Sequence, residues 1–329
     1  MNNIRVWFRS HSKQISAIGK WAILVILLVA ALLILDVNDI RSVFSSITLG
    51  MFFSYVGILL SSRILYSARW KLINQALTGK DHISLPTFFS TNLLAEFVTI
   101  AFPSSIGGEV TRFFKINPHN QDPLATTTGI FIDRLIGITT MILDSIIVLL
   151  LMRQDFSINL EEYIPGSYVV PIIIGAVFVT GTVLVLFTRL MRKSDYLIKI
   201  KNAWDLVKKN KHLIFYATLI SIASHIIFSL SHVVLFQSLF PIPYLSVIGV
   251  ILTPQLARSI PISLFGISGG EGMMIVSQMM IGLPQNTALV ITLTSLFARY
   301  FFALCGLVIE ILTDGLKFIK KLSNKKEPL

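Results

Sequence analysis

The residues of this 329-residue chain that could do chemistry are charged side chains set inside apolar stretches. Two of them close a repeated tripeptide, Gly107-Gly108-Glu109 and Gly269-Gly270-Glu271. Each copy ends a Pro/Gly/Ser-rich break, FPSSIGGE at 102–109 and PISLFGISGGE at 261–271. Each is followed by an arginine inside the next long apolar segment, Arg134 and Arg299. Breaks of that composition end a helix and let the chain turn back. A half-helix that restarts there has unpaired backbone N–H groups and a positive end, which suits an anion. Guanidinium groups in the facing spans add planar forks that match phosphate or carboxylate oxygens. Ser105 and Ser268 could donate further hydrogen bonds, although serines in turns often bond only to local backbone.

Glu96, Arg112, Asp133, Asp144 and Arg258 extend the set of charges within or beside apolar segments. A charge at a bilayer centre costs about 2.5–3.5 kcal/mol or more, so such residues pair and line polar interiors. Two readings follow. The acids and arginines could be structural ion pairs that tie the broken segments to the bundle, or they could form a binding site for an anionic headgroup, with Glu109 and Glu271 orienting the arginines or carrying protons. His225 and His232 fall seven residues apart and hence on one helix face, but no third ligand stands near them, so no metal or cofactor is expected.

Composition says what must hold these residues. The chain is 54% hydrophobic and 14% charged, against about 25% charged in a soluble domain. Its mean hydropathy is +0.76. These values imply an integral membrane protein and exclude a secreted domain or a cytosolic enzyme on an anchor. The net charge of +11 does not point to nucleic acid, because the basic residues lie between apolar segments. The single cysteine, Cys305, excludes an internal disulfide. The segment from Trp21 to Leu35 is followed by Asp36 and Asn38 without a small-residue cleavage pattern, and reads as a retained first span rather than a signal peptide.

Six stretches have the length and polarity of a crossing helix: Ile18–Leu35, Ser46–Tyr66, Thr126–Met152, Tyr168–Thr188, Leu213–Phe236 and Asn286–Leu312. Two longer apolar regions, Leu85–Ile116 and Tyr244–Leu283, contain the breaks. The expected fold is an all-α integral membrane protein, one polytopic domain over 1–329, with six full transmembrane helices and two re-entrant hairpins. Eight transmembrane helices are the alternative. With hairpins, the basic residues collect on one side. Arg69, Lys71, Lys80, Arg112 and Lys115, the loop 189–211 and the tail 313–329 face the cytoplasm, and Arg41 and Arg153 face out. Both termini are then cytoplasmic. The basic loop would lie against anionic lipid. The first hairpin enters from the cytoplasm and the second from outside, so the halves 40–152 and 200–312 form inverted repeats, as in many secondary transporters.

At this level the chain resembles a known family, the flippase-like transmembrane domain of the lysylphosphatidylglycerol synthases. The residues that carry the likeness are Arg69-Trp70, the run Asn92…Pro103…Gly107-Gly108-Glu109…Arg112, Asp133-Arg134-Leu135-Ile136-Gly137, and Pro261…Gly269-Gly270-Glu271. The family's usual pattern at the third of these is Glu-Arg, and this chain has Asp133-Arg134 instead. The resemblance implies lipid movement between leaflets of a bacterial inner membrane, or an accessory role beside enzymes of a lipid or lipid-linked glycan pathway. It adds Arg69 to the candidate substrate-binding residues. Synthase activity is not expected, because no soluble aminoacyl-transferase segment follows the tail.

A lipid transporter moving an anionic phospholipid or polyprenyl-phosphate headgroup is therefore the expected function. A membrane-embedded enzyme of lipid-linked glycan synthesis and a non-catalytic scaffold are the alternatives. Topology is open to a direct test by labelling cysteines placed at Asp39, Ile158, Asp205 and Asn324 in a Cys305→Ser background. Positions 39 and 158 are expected to label from outside and positions 205 and 324 are not. Outside labelling of 324 would mean that one broken region crosses completely.

Overall fold

A computed structural model describes Ser45, residues 47–101, 106–151, Asp205, and residues 207–239, 242–258, 263–264 and 267–324. The expected spans Ile18–Leu35 and Tyr168–Thr188 and most of the loop 189–211 lie outside the described residues. Within them the chain is helical: α1 Leu49–Thr78, α2 Leu85–Ala101, α3 Ile106–Asn120, α4 Pro123–Leu151, α5 Lys211–Leu239, α6 Tyr244–Arg258, α7 Gly269–Met280 and α8 Gln285–Asn324. A two-residue antiparallel ladder, β1 Ser263–Leu264 with β2 Ile267–Ser268, closes the second break, where only a helix break was expected.

Local chemistry sets the helix ends. Thr48 accepts from the Met51 amide at 3.2 Å to start α1, and Gly79, at φ 68°, ends it in the left-handed conformation that glycine adopts without strain. Asp122 accepts from the amides of Leu124 and Ala125 at 2.9 and 3.1 Å, with Pro123 in the first helical position of α4. Among the described residues, the segments Leu49–Thr78, Lys211–Gln237 and Gln285–Thr313 are long and apolar enough to cross a membrane. The first corrects the expected span Ser46–Tyr66: α1 runs on through Arg69, which was assigned to a cytoplasmic loop but is buried. The expected spans Thr126–Met152 and Leu213–Phe236 correspond to α4 and α5.

Side-chain contacts fix the relative directions. Tyr55 meets His232, Ser62 donates to the Ser224 carbonyl and Asn210 to the Ala76 carbonyl, so α1 and α5 are antiparallel. Arg63 reaches Glu96, Asn92 donates to Ser67, and the Trp70 ring meets Phe88 edge to face, so α2 runs back along α1. The arms of the first broken region lie side by side, with Phe88 at the start of α2 packed with Ile116 near the end of α3. The second folds back similarly, Ser277 of α7 donating to the Val250 carbonyl of α6 at 3.0 Å. α3 is antiparallel to α4 through Arg112–Asp133 and Asn120–Thr126. α7 is antiparallel to α8 through Gln278–Thr292 and Glu271–Arg299. α4 and α5 run parallel, Thr140 beside Ser221 and Asp144 beside His225.

The order long helix, hairpin, long helix thus occurs twice with reversed direction, α1 to α4 and α5 to α8. The halves also exchange arms. α2 packs on α8 of the other half, and α6 packs on α4, with Leu245, Ile248 and Leu252 against Val148. The largest core cluster draws Tyr55, Leu93, Phe236, Val247, Ile251, Met274, Ala288 and Phe302 from both halves.

The α2–α8 contact is a backbone-to-backbone approach at Gly306. A Cβ there would lie 2.6 Å from both the Leu93 oxygen and the Leu94 nitrogen. Gly306→Ala is therefore expected to separate the two helices and destabilise the protein by about 1–3 kcal/mol, the usual cost of overpacking. Gly57→Ala, where a Cβ meets nothing within 4 Å, serves as the control and leaves the thermal unfolding midpoint in detergent unchanged or slightly raised.

Candidate functional site

Two charged clusters grow from one face of α1, where Arg63, Tyr66, Arg69 and Trp70 follow helical spacing. In the first, Asp133 of α4 is fully buried and each carboxylate oxygen takes one guanidinium. Arg69 Nε donates to Oδ1 at 2.8 Å and Arg112 Nη2, from α3, to Oδ2 at 2.7 Å. The aromatic rings of α1 seat both cations: Arg69 lies 4.3 Å over Tyr66 and Arg112 lies 3.9 Å over Trp70. Arg69 Nη1 continues to Ser221 Oγ of α5 at 2.9 Å, and Ser221 lies 2.6 Å from Thr140 Oγ1. Gly137 makes this possible, since a Cβ there would sit 3.0 Å from Arg69 Nη1. Arg112 Nη1 donates to Glu109 Oε2 at 3.1 Å, and Glu109 Oε1 accepts from Arg134, from Nε at 2.7 Å and also from Nη2.

The second cluster repeats the motif. Glu96 of α2 lies between Arg63, which donates from both terminal nitrogens, and Arg299 of α8, whose Nε donates at 3.0 Å. Arg63 lies 4.5 Å over the Phe302 ring. Arg299 Nη1 approaches Glu271 Oε1 of α7 to 3.6 Å, so one guanidinium touches carboxylates of both hairpins.

Glu109 faces Arg134 and Glu271 faces Arg299, each glutamate against the arginine of the span that follows it. Arg69, Arg112 and Asp133 join the first cluster and Glu96 the second. Ser105 lies outside the described residues, and the side chains of Arg258 and Ser268 are likewise outside them. Ser268 contributes backbone pairing to Ser263. Gly107 and Gly108 stand in the first turn of α3, and Gly269 and Gly270 in that of α7. Gly108 has a packing role: a Cβ would lie 2.9 Å from the Ala95 oxygen. Glu109 and Glu271 themselves occupy these first turns, at the positive helix ends.

The family described as Lysylphosphatidylglycerol synthase TM region matches residues 18–306. The chain belongs to this family. No curated protein and no solved structure matches it. As a lysylphosphatidylglycerol synthase TM region, it is a multi-pass membrane protein whose family is tied to lipid handling.

In this member of the family, the sequence reading missed Arg63 as a site residue, along with Tyr66, Trp70 and Ser221. The signal for the first three was their spacing on one helix face. Ser221 gave no signal, being one of several serines along α5. Among the described residues the first cluster holds three guanidinium groups and two carboxylates, and the second holds two of each. Arg134 is the most exposed cation of the first cluster, its Nε and Nη2 converging on one oxygen and its side chain 47% exposed.

This inventory separates the arginines by role. Arg112→Ala leaves Asp133 with one cation and Glu109 with the other, so a loss of about 3–5 kcal/mol is expected, as when a buried pair is broken. Arg112→Lys should recover little of it, because one ammonium cannot bridge two carboxylates while lying flat on Trp70. Arg134→Ala leaves Glu109 paired to Arg112 and should cost about 1 kcal/mol or less, the scale of exposed pairs. Thermal unfolding of the three variants in detergent checks the order.

Proposed function

We propose that this protein binds the phosphate of an anionic phospholipid or polyprenyl-phosphate headgroup at Arg134 and moves that lipid between leaflets. The observation that carries this reading is the excess guanidinium. Glu109 engages one edge of Arg134, whose side chain is 47% exposed, at the rim of a cluster that among the described residues holds three guanidinium groups against two carboxylates. A phosphate supplies the missing negative charge and accepts two parallel N–H bonds from such a fork. Membership of the family supports a lipid as the carrier of that phosphate.

The two reversed halves support movement rather than binding alone. Hairpins that enter from opposite sides and share Arg299 provide the paired, oppositely directed elements on which alternating access relies. In this reading the protein acts without catalysing covalent chemistry. It lies in the bacterial inner membrane with both termini in the cytoplasm, and its basic segments 189–211 and 313–329 rest on anionic lipid. Its protein partners would be enzymes that make or consume the lipid it moves.

Movement of fluorescently labelled phosphatidylglycerol and of a short-chain polyprenyl phosphate in proteoliposomes tests the reading, with donor-sugar hydrolysis followed in parallel. Wild type is expected to move at least one of them without hydrolysis. Arg134→Ala and Arg134→Lys are expected to abolish movement while keeping the folded state. The Arg134→Ala/Glu109→Ala double variant is expected to fold and not transport. Transport by that double variant would refute the headgroup role and leave Arg134 as a structural partner of Glu109.

A further inference from the structure

Among the described residues, a carboxylate–imidazole pair lies outside both arginine clusters. Asp144 of α4 and His225 of α5 meet with Nδ1 2.8 Å from Oδ2, Asp144 being buried and His225 15% exposed. The surroundings are apolar on one side, where α6 lays Leu245, Ile248 and Leu252 against Val148, one turn along α4 from Asp144. They are polar on the other. One turn back along each helix, Thr140 and Ser221 lie 2.6 Å apart, and Ser221 accepts from Arg69 of α1. Arg69 is the charged group that α1 brings to this interface. Tyr55 of α1 and Ser295 of α8 meet α5 two turns further on, at His232. From Arg69 the chain of direct bonds is unbroken through Asp133, Arg112 and Glu109 to Arg134.

We infer that the Asp144–His225 pair is a proton-binding site that couples proton movement to the lipid movement proposed above, an inference that rests on that reading. Imidazole is the side chain whose charge changes between about pH 5 and 8, and ionisable residues within membrane segments serve as proton relays. The bookkeeping of charge is simple. An ionised carboxylate only accepts, so Nδ1 keeps its proton and donates it to Asp144. The exchangeable proton is the one on Nε2. With it the pair is neutral, and without it the pair carries one negative charge. That negative charge draws Arg69 toward Ser221 and away from Asp133. A weaker hold of Arg69 on Asp133 strengthens the claim of Asp133 on Arg112, and so loosens Arg112 from Glu109. Glu109 then closes on Arg134 and opposes a bound phosphate. Deprotonation therefore favours headgroup release and protonation favours binding, by the field of the pair across one helical turn to Arg69 and from there through direct contacts in this structure.

The full chain is reconstituted with fluorescently labelled phosphatidylglycerol or the short-chain polyprenyl phosphate, a pH-sensitive dye is trapped inside, and a pH gradient of either sign is imposed. Lipid movement is expected to change rate with the direction of the gradient, with proton flux that appears only when lipid moves. Asp144→Asn and His225→Gln are expected to lose both the gradient dependence and the flux. His225→Arg keeps a permanent cation beside Asp144, so it should unfold at the wild-type temperature yet remain indifferent to the gradient. That variant keeps the test decisive if the neutral ones fail to fold. Gradient dependence in the His225→Arg protein, or its absence in wild type, overturns the coupling and leaves the lipid reading intact. No movement of either phosphatidylglycerol or the short-chain polyprenyl phosphate under any gradient overturns that reading and the coupling with it.

Discussion

A carboxylate clamped between two guanidinium groups is the interaction on which the rest of this molecule depends. Asp133 and Glu96 each hold two arginines drawn from different helices, and α1 supplies one arginine to each. Inside a membrane the cost of desolvating a lone charge is large, and it is offset only when hydrogen-bonding capacity is nearly filled. Here it is filled from several sides at once. Asp133 receives an N–H on each oxygen, and its two arginines lie against aromatic faces of α1. The same bonds that make the charges tolerable therefore fix where α1, α3 and α4 stand. Helices in lipid gain little from burying apolar surface against one another, so polar contacts of this kind and close backbone approach decide the packing.

Close approach is supplied by glycine. Gly306 lets α8 touch the backbone of α2 at Leu93, Gly108 lets α3 start against Ala95, and Gly137 clears the volume that Arg69 fills. These positions explain how short hairpin arms are held within a bundle of much longer helices. They also explain why the arms cross between halves. Each first arm is held by a helix of the opposite repeat, α2 by α8 and α6 by α4, so neither half is complete by itself.

Much of this arrangement was legible in the sequence, for reasons that are physical. The paired Gly-Gly-Glu runs and the arginines after them marked the hairpins, because proline, glycine and charge are tolerated in such segments only where the backbone turns or where a partner waits. Glu109–Arg134 and Glu271–Arg299 follow from that logic. Arg69 did not. A charge at the end of an apolar run reads as a loop residue, and only the tertiary placement of Asp133 turns it into an interior one. Arg63 has no partner visible in the sequence, since Glu96 is 33 residues away and its bond depends on how α2 folds back. The short β ladder at 263–268 was hidden for a different reason, as four paired residues leave no periodicity to detect.

Arg299 carries a mechanical consequence. Its guanidinium lies between Glu96 of the first hairpin and Glu271 of the second, at 3.0 Å from one and 3.6 Å from the other. A rigid fork on one helix cannot tighten on both carboxylates when they move apart, so a gain at either is a loss at the other. The two hairpins are thereby linked through a single side chain, so a displacement that tightens one contact slackens the other.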